Sequence, residues 1–155
     1  NNGWTKIGEN SGLVLMIIAR RGSGAFFNGK RIGVSSINTL NWASLCTGFP
    51  YDLRTNARNN IGNFIEFMHR GQAIKRDSSA ALSLAYLACR RFDGFWELKL
   101  NPWDVAAGCL IIREVGGIIT DFQGESFNMY EDDIVASNGL IHEEMLEVLR
   151  EDRRR

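Results

Sequence analysis

Two acids, Glu97 and Asp104, stand seven residues apart in FWELKLNPWDVAAG, each directly preceded by a tryptophan, Trp96 and Trp103. Two carboxylates where a strand gives way to a helix can hold a hydrated divalent cation and a hydroxyl-rich ligand together. Mg²⁺ prefers oxygen ligands and usually takes one or two carboxylates plus phosphate and water. Each acid also has a plainer use. With Asn101 as N-cap, Asp104 is the third helical residue, where the free backbone N–H groups and the helix dipole stabilise a carboxylate by roughly 0.3–1 kcal/mol. Glu97 suits an outward position on a half-exposed strand. A second element is Asp77-Ser78-Ser79-Ala80, preceded by Lys75 and Arg76. Small residues at a helix start leave first-turn N–H groups open to a phosphate or sugar oxygen. The same string is an ordinary cap in which Asp77 consumes those donors itself.

These residues need elements to carry them. The apolar run at residues 13–19 has the length of a buried strand. Residues 25–27 and 31–34 flank Asn28-Gly29, a two-residue hairpin signal. Residues 45–49 predict a short strand stopped by Pro50. A helix is expected over residues 57–70, with Ile61, Phe64, Ile65 and Met68 on its apolar face and Gly71 at its end. A strand at 73–76 precedes a helix over 78–91 with Asp77 as N-cap. A strand at 92–100 then leads to Asn101-Pro102, a favoured helix start. That helix runs to Val115 and ends at Gly116-Gly117. Strands follow at 118–122 and 134–137, and Asn138 caps a last helix with Ile141, Met145, Val148 and Leu149 inward. From about residue 72 the order is strand, helix, strand, helix, strand, strand, helix. This is the pattern of an α/β layer structure with a partly parallel sheet. Residues 1–12 are polar and Gly-rich, and no linker divides the chain.

The totals set limits. At 155 residues the chain can form one domain with a real core. Net charge is zero, which gives no sign of a nucleic-acid partner. The three cysteines, Cys46, Cys89 and Cys109, are far apart and odd in number, so neither a disulfide framework nor a zinc knuckle is expected. They suit a reducing compartment, and a cytoplasmic location is the expectation. The longest apolar run is too short to cross a bilayer.

WELKLNPWDVAAG followed by REVGGIITDF resembles the C-terminal signature of the inositol monophosphatase family: Trp-Asp, a small-residue helix, Gly-Gly, and a strand ending in Asp. KRDSSAALSLAYLACRRFDGFWE, DIVASNGLIHEEML and GSGAFFNGKRIGVSS extend the likeness to about residues 22–151. Residues 1–21 match poorly, and residues 152–155 read as a frayed basic tail. The resemblance implies a Mg²⁺-dependent, lithium-sensitive phosphomonoesterase with a layered αβαβα sugar-phosphatase-type fold, its mixed sheet flanked by helices. It implies that Asp104 is a metal ligand that also approaches substrate hydroxyls, and that Glu97 hydrogen-bonds an inositol hydroxyl. Ser78, Ser79 and Ala80 match a pocket-lining segment, and Lys75 a position that is often Arg in bacterial members. Homodimers are common in the family, and no phosphoenzyme is expected.

There are departures. The family's upstream Glu and its Asp-Pro-Ile/Leu-Asp-Gly-Thr motif do not occur, so the chain matches only the later part of a longer protein. No catalytic residue is identified in it, and it is expected to be inactive alone. Ser78 replaces a usual Gly, and Arg90 replaces a common Gly at a helix end, which reads as a surface effect. Two other readings compete with an inositol phosphatase. One is a relative acting on sugar bisphosphates, nucleotide bisphosphates or histidinol phosphate. The other is a non-catalytic α/β binding or dimerisation module.

Overall fold

The computed structural model describes residues 16–152. Eight strands and four α-helices appear in the order β1 (Ile17–Arg20), β2 (Gly24–Phe27), β3 (Lys30–Arg31), β4 (Ser44–Thr47), α1 (Ile61–Arg70), β5 (Ala73–Arg76), α2 (Ala80–Ala88), β6 (Gly94–Leu98), α3 (Pro102–Glu114), β7 (Ile118–Thr120), β8 (Asp133–Ser137) and α4 (His142–Asp152). The central sheet runs β5-β4-β6-β8-β7. The pairs β4–β5 and β4–β6 are parallel, and β6–β8 and β8–β7 antiparallel.

Strand side chains alternate between faces, and neighbouring residues here go to different cores. Leu45, Trp96 and Val135 join α1 and α4 through Phe67, Ile141, Met145 and Leu149. Cys46, Phe95, Ile134 and Ala136 join α2 and α3 through Leu84, Leu87, Val105 and Ile112. The helices α2 and α3 touch where a Cβ on Gly108 would lie 2.4 Å from Leu84 Cδ1, so only glycine permits that approach. The three-stranded sheet β1-β2-β3 lies against α3. Glu114, the last residue of α3, accepts hydrogen bonds from Gly22 N (2.7 Å) and Gly24 N (2.8 Å) in the β1–β2 turn. Helices, sheet, helices and second sheet follow one another as layers of an α/β fold with a mixed sheet, as the sequence implies.

Several local expectations are corrected. The strand expected at 13–19 is seen from Ile17; residues 13–15 lie outside the described part, as do residues 1–12 and 153–155. Among the described residues it is an edge strand and not a buried one: Ile18 is exposed and Ile17 only half-buried. Asn28 (φ 47°) and Gly29 (φ 80°) form the hairpin turn, but its second arm is only Lys30–Arg31. The helix expected from residue 57 begins at Ile61, because Asn60 is left-handed (φ 71°) and breaks it. Its buried residues are Asn63 and Phe67, whereas Ile61, Ile65 and Met68 are exposed. Ser79 and not Asp77 caps α2, accepting from Leu82 N at 3.3 Å. Arg90 is more than a surface change. It takes the left-handed position after α2 (φ 63°) where glycine is favoured, and its Nε donates to Gly33 O (3.1 Å). Asn138 accepts from Leu140 N and Ile141 N, closing the turn before α4, which starts at His142. The apolar residues Ile141, Met145, Val148 and Leu149 are fully buried as expected.

Candidate active site

In an open α/β sheet, ligands bind beyond the carboxyl ends of the parallel strands. Here β4, β5 and β6 end together, and the segments leaving them enclose a cleft of about 590 Å³. Gly48, Phe49, Pro50 and Tyr51 follow β4. Arg76 ends β5, and Asp77, Ser78, Ser79 and Ala80 lead from it into α2. Glu97 is the last residue but one of β6, and Asp104 lies in the first turn of α3.

The floor is a buried polar network. Thr47 Oγ1 donates to Trp96 O (2.6 Å), tying the end of β4 to β6. Asn60 Nδ2 donates to Gly48 O (2.7 Å) and Thr47 Oγ1 (3.0 Å), and Trp96 Nε1 donates to Asn60 Oδ1 (2.8 Å). These bonds explain the strained backbone of Asn60: only there does its amide reach both strands. Trp96 is fully buried, with its ring 4.0 Å from that of Phe67. The tryptophan before Glu97 therefore anchors the acid, while Trp103, 77% exposed, stands at the mouth beside Asp104.

Glu97 shares the α2/α3 face of the sheet with Phe95, two residues before it, and pairs across the ladder with Ile134. A Cβ on Gly48 would lie 2.1 Å from its Oε1, so glycine is what lets this carboxyl occupy its place. Glu97 makes no hydrogen bond among the described residues, and its pKa is pushed up to about 7. Burial is the main cause, the Asp104 charge adds to it, and Arg76 opposes it. Asp104 Oδ2 accepts from Asn101 N (3.1 Å) and Asn101 Nδ2 (3.3 Å), the cap geometry expected of it. Its Oδ1 has no partner among the described residues. The two acids are thus coupled across one cleft rather than being two unrelated surface groups.

Ser78, Ser79 and Ala80 line the cleft with Glu97 and Asp104; Lys75 does not. Lys75 stands opposite Cys46 in the β4–β5 ladder, and Arg76 opposite Thr47. Arg76, the last residue of β5, lines the cleft instead, and its guanidinium lies 5.1 Å from the Phe49 ring centroid. The sequence names Arg76 only beside Lys75 and gives no role to Gly48, Phe49 or Tyr51. The signal was the Gly-Phe-Pro break after an apolar strand. Nor does the sequence point to the two clamps on the loop that leaves β4. Lys99 Nζ meets Asp52 Oδ2 at 2.6 Å, holding that carboxyl below its usual range with help from Asn56. Arg58 pairs with Asp132 (3.1 Å) and with Asp133.

Among the described residues no three His, Cys, Asp or Glu side chains gather as a metal cage. A Mg²⁺ site built from one or two carboxylates plus phosphate and water is still compatible with this chemistry. The partnerless Asp104 Oδ1 and the neighbouring coupled carboxyl suit such a cation as part of a ligand set.

A layered α/β domain with an acid-lined cleft at the carboxyl ends of its parallel strands is the class that these observations define. The chain belongs to the inositol monophosphatase family, whose model matches residues 14–154. It is 41% identical over 153 residues to a Thermotoga maritima protein named fructose-1,6-bisphosphatase/inositol-1-monophosphatase, covering 97% of this chain and 57% of that one. It is 40% identical over 137 residues to the Nus factor SuhB of Escherichia coli, covering 88% and 51%. The inositol monophosphatase structure from Anabaena (Nostoc) superimposes with a TM-score of 0.85 at 38% identity, covering 87% of this chain and 54% of that one. The chain spans about half the length of the curated relatives it matches.

Proposed function

We propose that this chain carries the substrate-facing part of a Mg²⁺-dependent phosphomonoesterase site that hydrolyses inositol monophosphate to inositol and phosphate. The observation that carries the reading is the convergence of Glu97 and Asp104, electrostatically coupled, on one cleft at the strand ends. Asp104 would give the metal one carboxylate oxygen while its other oxygen keeps the helix cap. Glu97 accepts from a polyol hydroxyl, the partner that it lacks among the described residues. Ser78 and Ser79 offer hydroxyls, and the first turn of α2, opened by Ala80, offers N–H groups to substrate oxygens. Lys75 adds positive charge from outside the cleft lining, and Arg76 adds it from within. When bound, the metal supplies an activated water and charge neutralisation at the phosphate.

The upstream ligands of the resemblance are not in this chain, so it is proposed to be inactive alone. The assignment is therefore tested by binding as well as turnover. Mn²⁺ used as a paramagnetic probe is expected to broaden the amide signals of residues 97–104 and to lose that effect in Asp104→Asn. Broadening that is the same in both chains would remove Asp104 from the metal site. Phosphate release from inositol 1-phosphate with Mg²⁺ is measured in parallel, and release by this chain alone would overturn its proposed inactivity.

Two relatives' names support other readings. The Thermotoga name includes fructose-1,6-bisphosphatase, and Arg76 in the cleft suits a substrate with a second anionic group. The name Nus factor on several relatives suits a binding role without catalysis. Nothing in the cleft favours nucleotide bisphosphates or histidinol phosphate over these. A homodimer and a cytoplasmic location belong to the same proposal. Among the described residues no helix is long and apolar enough to cross a membrane.

A further inference from the structure

The end of the central sheet opposite the acid-lined cleft carries a second polar cavity. It has a volume of about 430 Å³ and lies where β4 and β6 begin, bordered by Trp42, Ser44, Gln72, Asp93 and the two arginines that follow α2, Arg90 and Arg91. Its floor is satisfied. Asp93 Oδ2 accepts from Ser44 N (2.7 Å) and its Oδ1 from the Ser35 hydroxyl, which in turn accepts from Asn138 Nδ2 (2.9 Å). Both oxygens are engaged, so this carboxylate closes the floor instead of pairing with either arginine. The rim is different. Arg90 spends its Nε on Gly33 O (3.1 Å), and its other N–H groups have no partner among the described residues. The Arg91 guanidinium lies 4.8 Å from the Tyr86 ring centroid and meets no carboxylate among those residues. A guanidinium carries five N–H donors, so two anchored cations present unfilled donors to one cavity. Beside them Trp42 is 62% exposed. Arg90 keeps its place against a cost: its φ of 63° is left-handed, a backbone that suits the glycine common here in the resembling family. Strain retained at one residue points to a use for its side chain.

We propose that this cavity binds a nucleoside monophosphate, its phosphate held by Arg90 and Arg91 and its base stacked on Trp42. Two guanidinium forks match a phosphate dianion in charge and in donor geometry; a single carboxylate would leave one of the cations unneutralised. An exposed indole on the same rim favours a planar ring as the rest of the ligand. The Gln72 amide and the Ser44 hydroxyl, unbonded among the described residues, offer polar contacts to a ribose. The volume lies in the range that small ligands fill. No residue that lines this cavity also lines the acid-lined cleft, and β4, four residues long, sets the two apart by about 10 Å. Binding here needs neither Glu97, Asp104 nor a metal, so it stands independently of the phosphatase reading.

The test titrates the 155-residue chain, without divalent cations, with guanosine 5′-monophosphate, with guanosine and with inorganic phosphate, following the amide signals and the indole signal of Trp42. The nucleotide is expected to give saturable shifts at Trp42, Gln72, Arg90 and Arg91 and none at residues 97–104. Phosphate should shift Arg90 and Arg91 with lower affinity, and guanosine should bind more weakly than the nucleotide by about tenfold or more. Arg90→Gly removes one cation and relieves the left-handed strain, so the chain should keep its fold while nucleotide affinity falls about tenfold or more. Arg91→Gln should act in the same direction. Trp42→Ala should weaken the nucleotide by about fivefold or more and leave phosphate affinity unchanged. Circular dichroism of each variant separates lost binding from lost folding. No saturable shift by about 10 mM nucleotide, shifts confined to residues 97–104, or binding indifferent to Arg90→Gly would each overturn the proposal. Equal affinity for phosphate and nucleotide, untouched by Trp42→Ala, would overturn it too, because the base would then have no place in the site.

Discussion

Glu97 holds its carboxyl in the space that Gly48 leaves, where burial and the Asp104 charge both oppose its ionisation. Glu97 and Asp104 announce themselves because charge in an apolar stretch needs a reason. Gly48 and Arg76 do not. Gly48 has no unusual φ; its role is the space it leaves for a carboxyl contributed by another strand. Which of two adjacent cations, Lys75 or Arg76, lines the cleft depends on where β5 ends beside the segment that follows β4, a tertiary placement. The elevated pKa of Glu97 makes the cost of its position measurable. The folded chain keeps this proton up to about pH 7, whereas an unfolded glutamic acid loses it near 4.5. Between those values the folded state binds more protons than the unfolded state, so its stability falls as pH rises, with the full cost present above pH 7. The shift corresponds to at most about 3 kcal/mol, and partial exposure lowers this to roughly 1–3 kcal/mol. Glu97→Gln, measured by urea unfolding without divalent cations, is expected to gain that stability at pH 8 and almost none at pH 4. Equal effects at both values would show that the carboxyl is not held in its burial-raised state.

Elements were read well where local signals decide them and poorly where tertiary contacts do. The helix α3 begins at Asn101-Pro102 and ends before Gly116, which is left-handed (φ 85°), because cap chemistry is local. The helix α1 went wrong twice for tertiary reasons. Asn60 gives up a helical backbone to bond two strands and an indole, and the sheet takes Phe67 inward while Ile61, Ile65 and Met68 stay exposed. Edge strand β1 was misread because an apolar run does not say which elements cover it. What holds that edge hairpin to α3 is Glu114. Its carboxyl lies below the usual range because Gly22 and Gly24 N–H groups bond the ionised form. Glu114→Gln keeps the shape and loses the charge. Faster amide exchange is expected at Gly22 and Gly24, with α4 unaffected. In the unmodified chain, exchange at the same two amides, corrected for its intrinsic pH dependence, should rise as pH falls and Glu114 takes up its proton. Unchanged exchange in the variant would mean that the hairpin is held by apolar contacts with α3 alone.

For the whole molecule, the alternation of layers follows from the order of elements, but the sheet order β5-β4-β6-β8-β7 does not. Strand β8 enters between β6 and β7 and reverses direction, placing Ile134 and Val135 on opposite faces beside residues from β4 and β6. This arrangement makes the two cores interdependent. Leu45 and Cys46, adjacent in β4, belong to different clusters, as do Phe95 and Trp96 in β6. Neither face can lose its strands without the other losing them. Unfolding of the chain is therefore expected to be one cooperative transition. Phe67→Ala removes a fully buried ring from the α1/α4 side, and Leu84→Ala a fully buried side chain from the α2/α3 side. Such truncations typically cost about 3–5 and 2–5 kcal/mol. Each should lower the midpoint of the same transition, seen alike by far-ultraviolet circular dichroism and by the fluorescence of buried Trp96. Two transitions, with Leu84→Ala moving only one, would show that the α2/α3 layer is held to the sheet more weakly than their shared strands require.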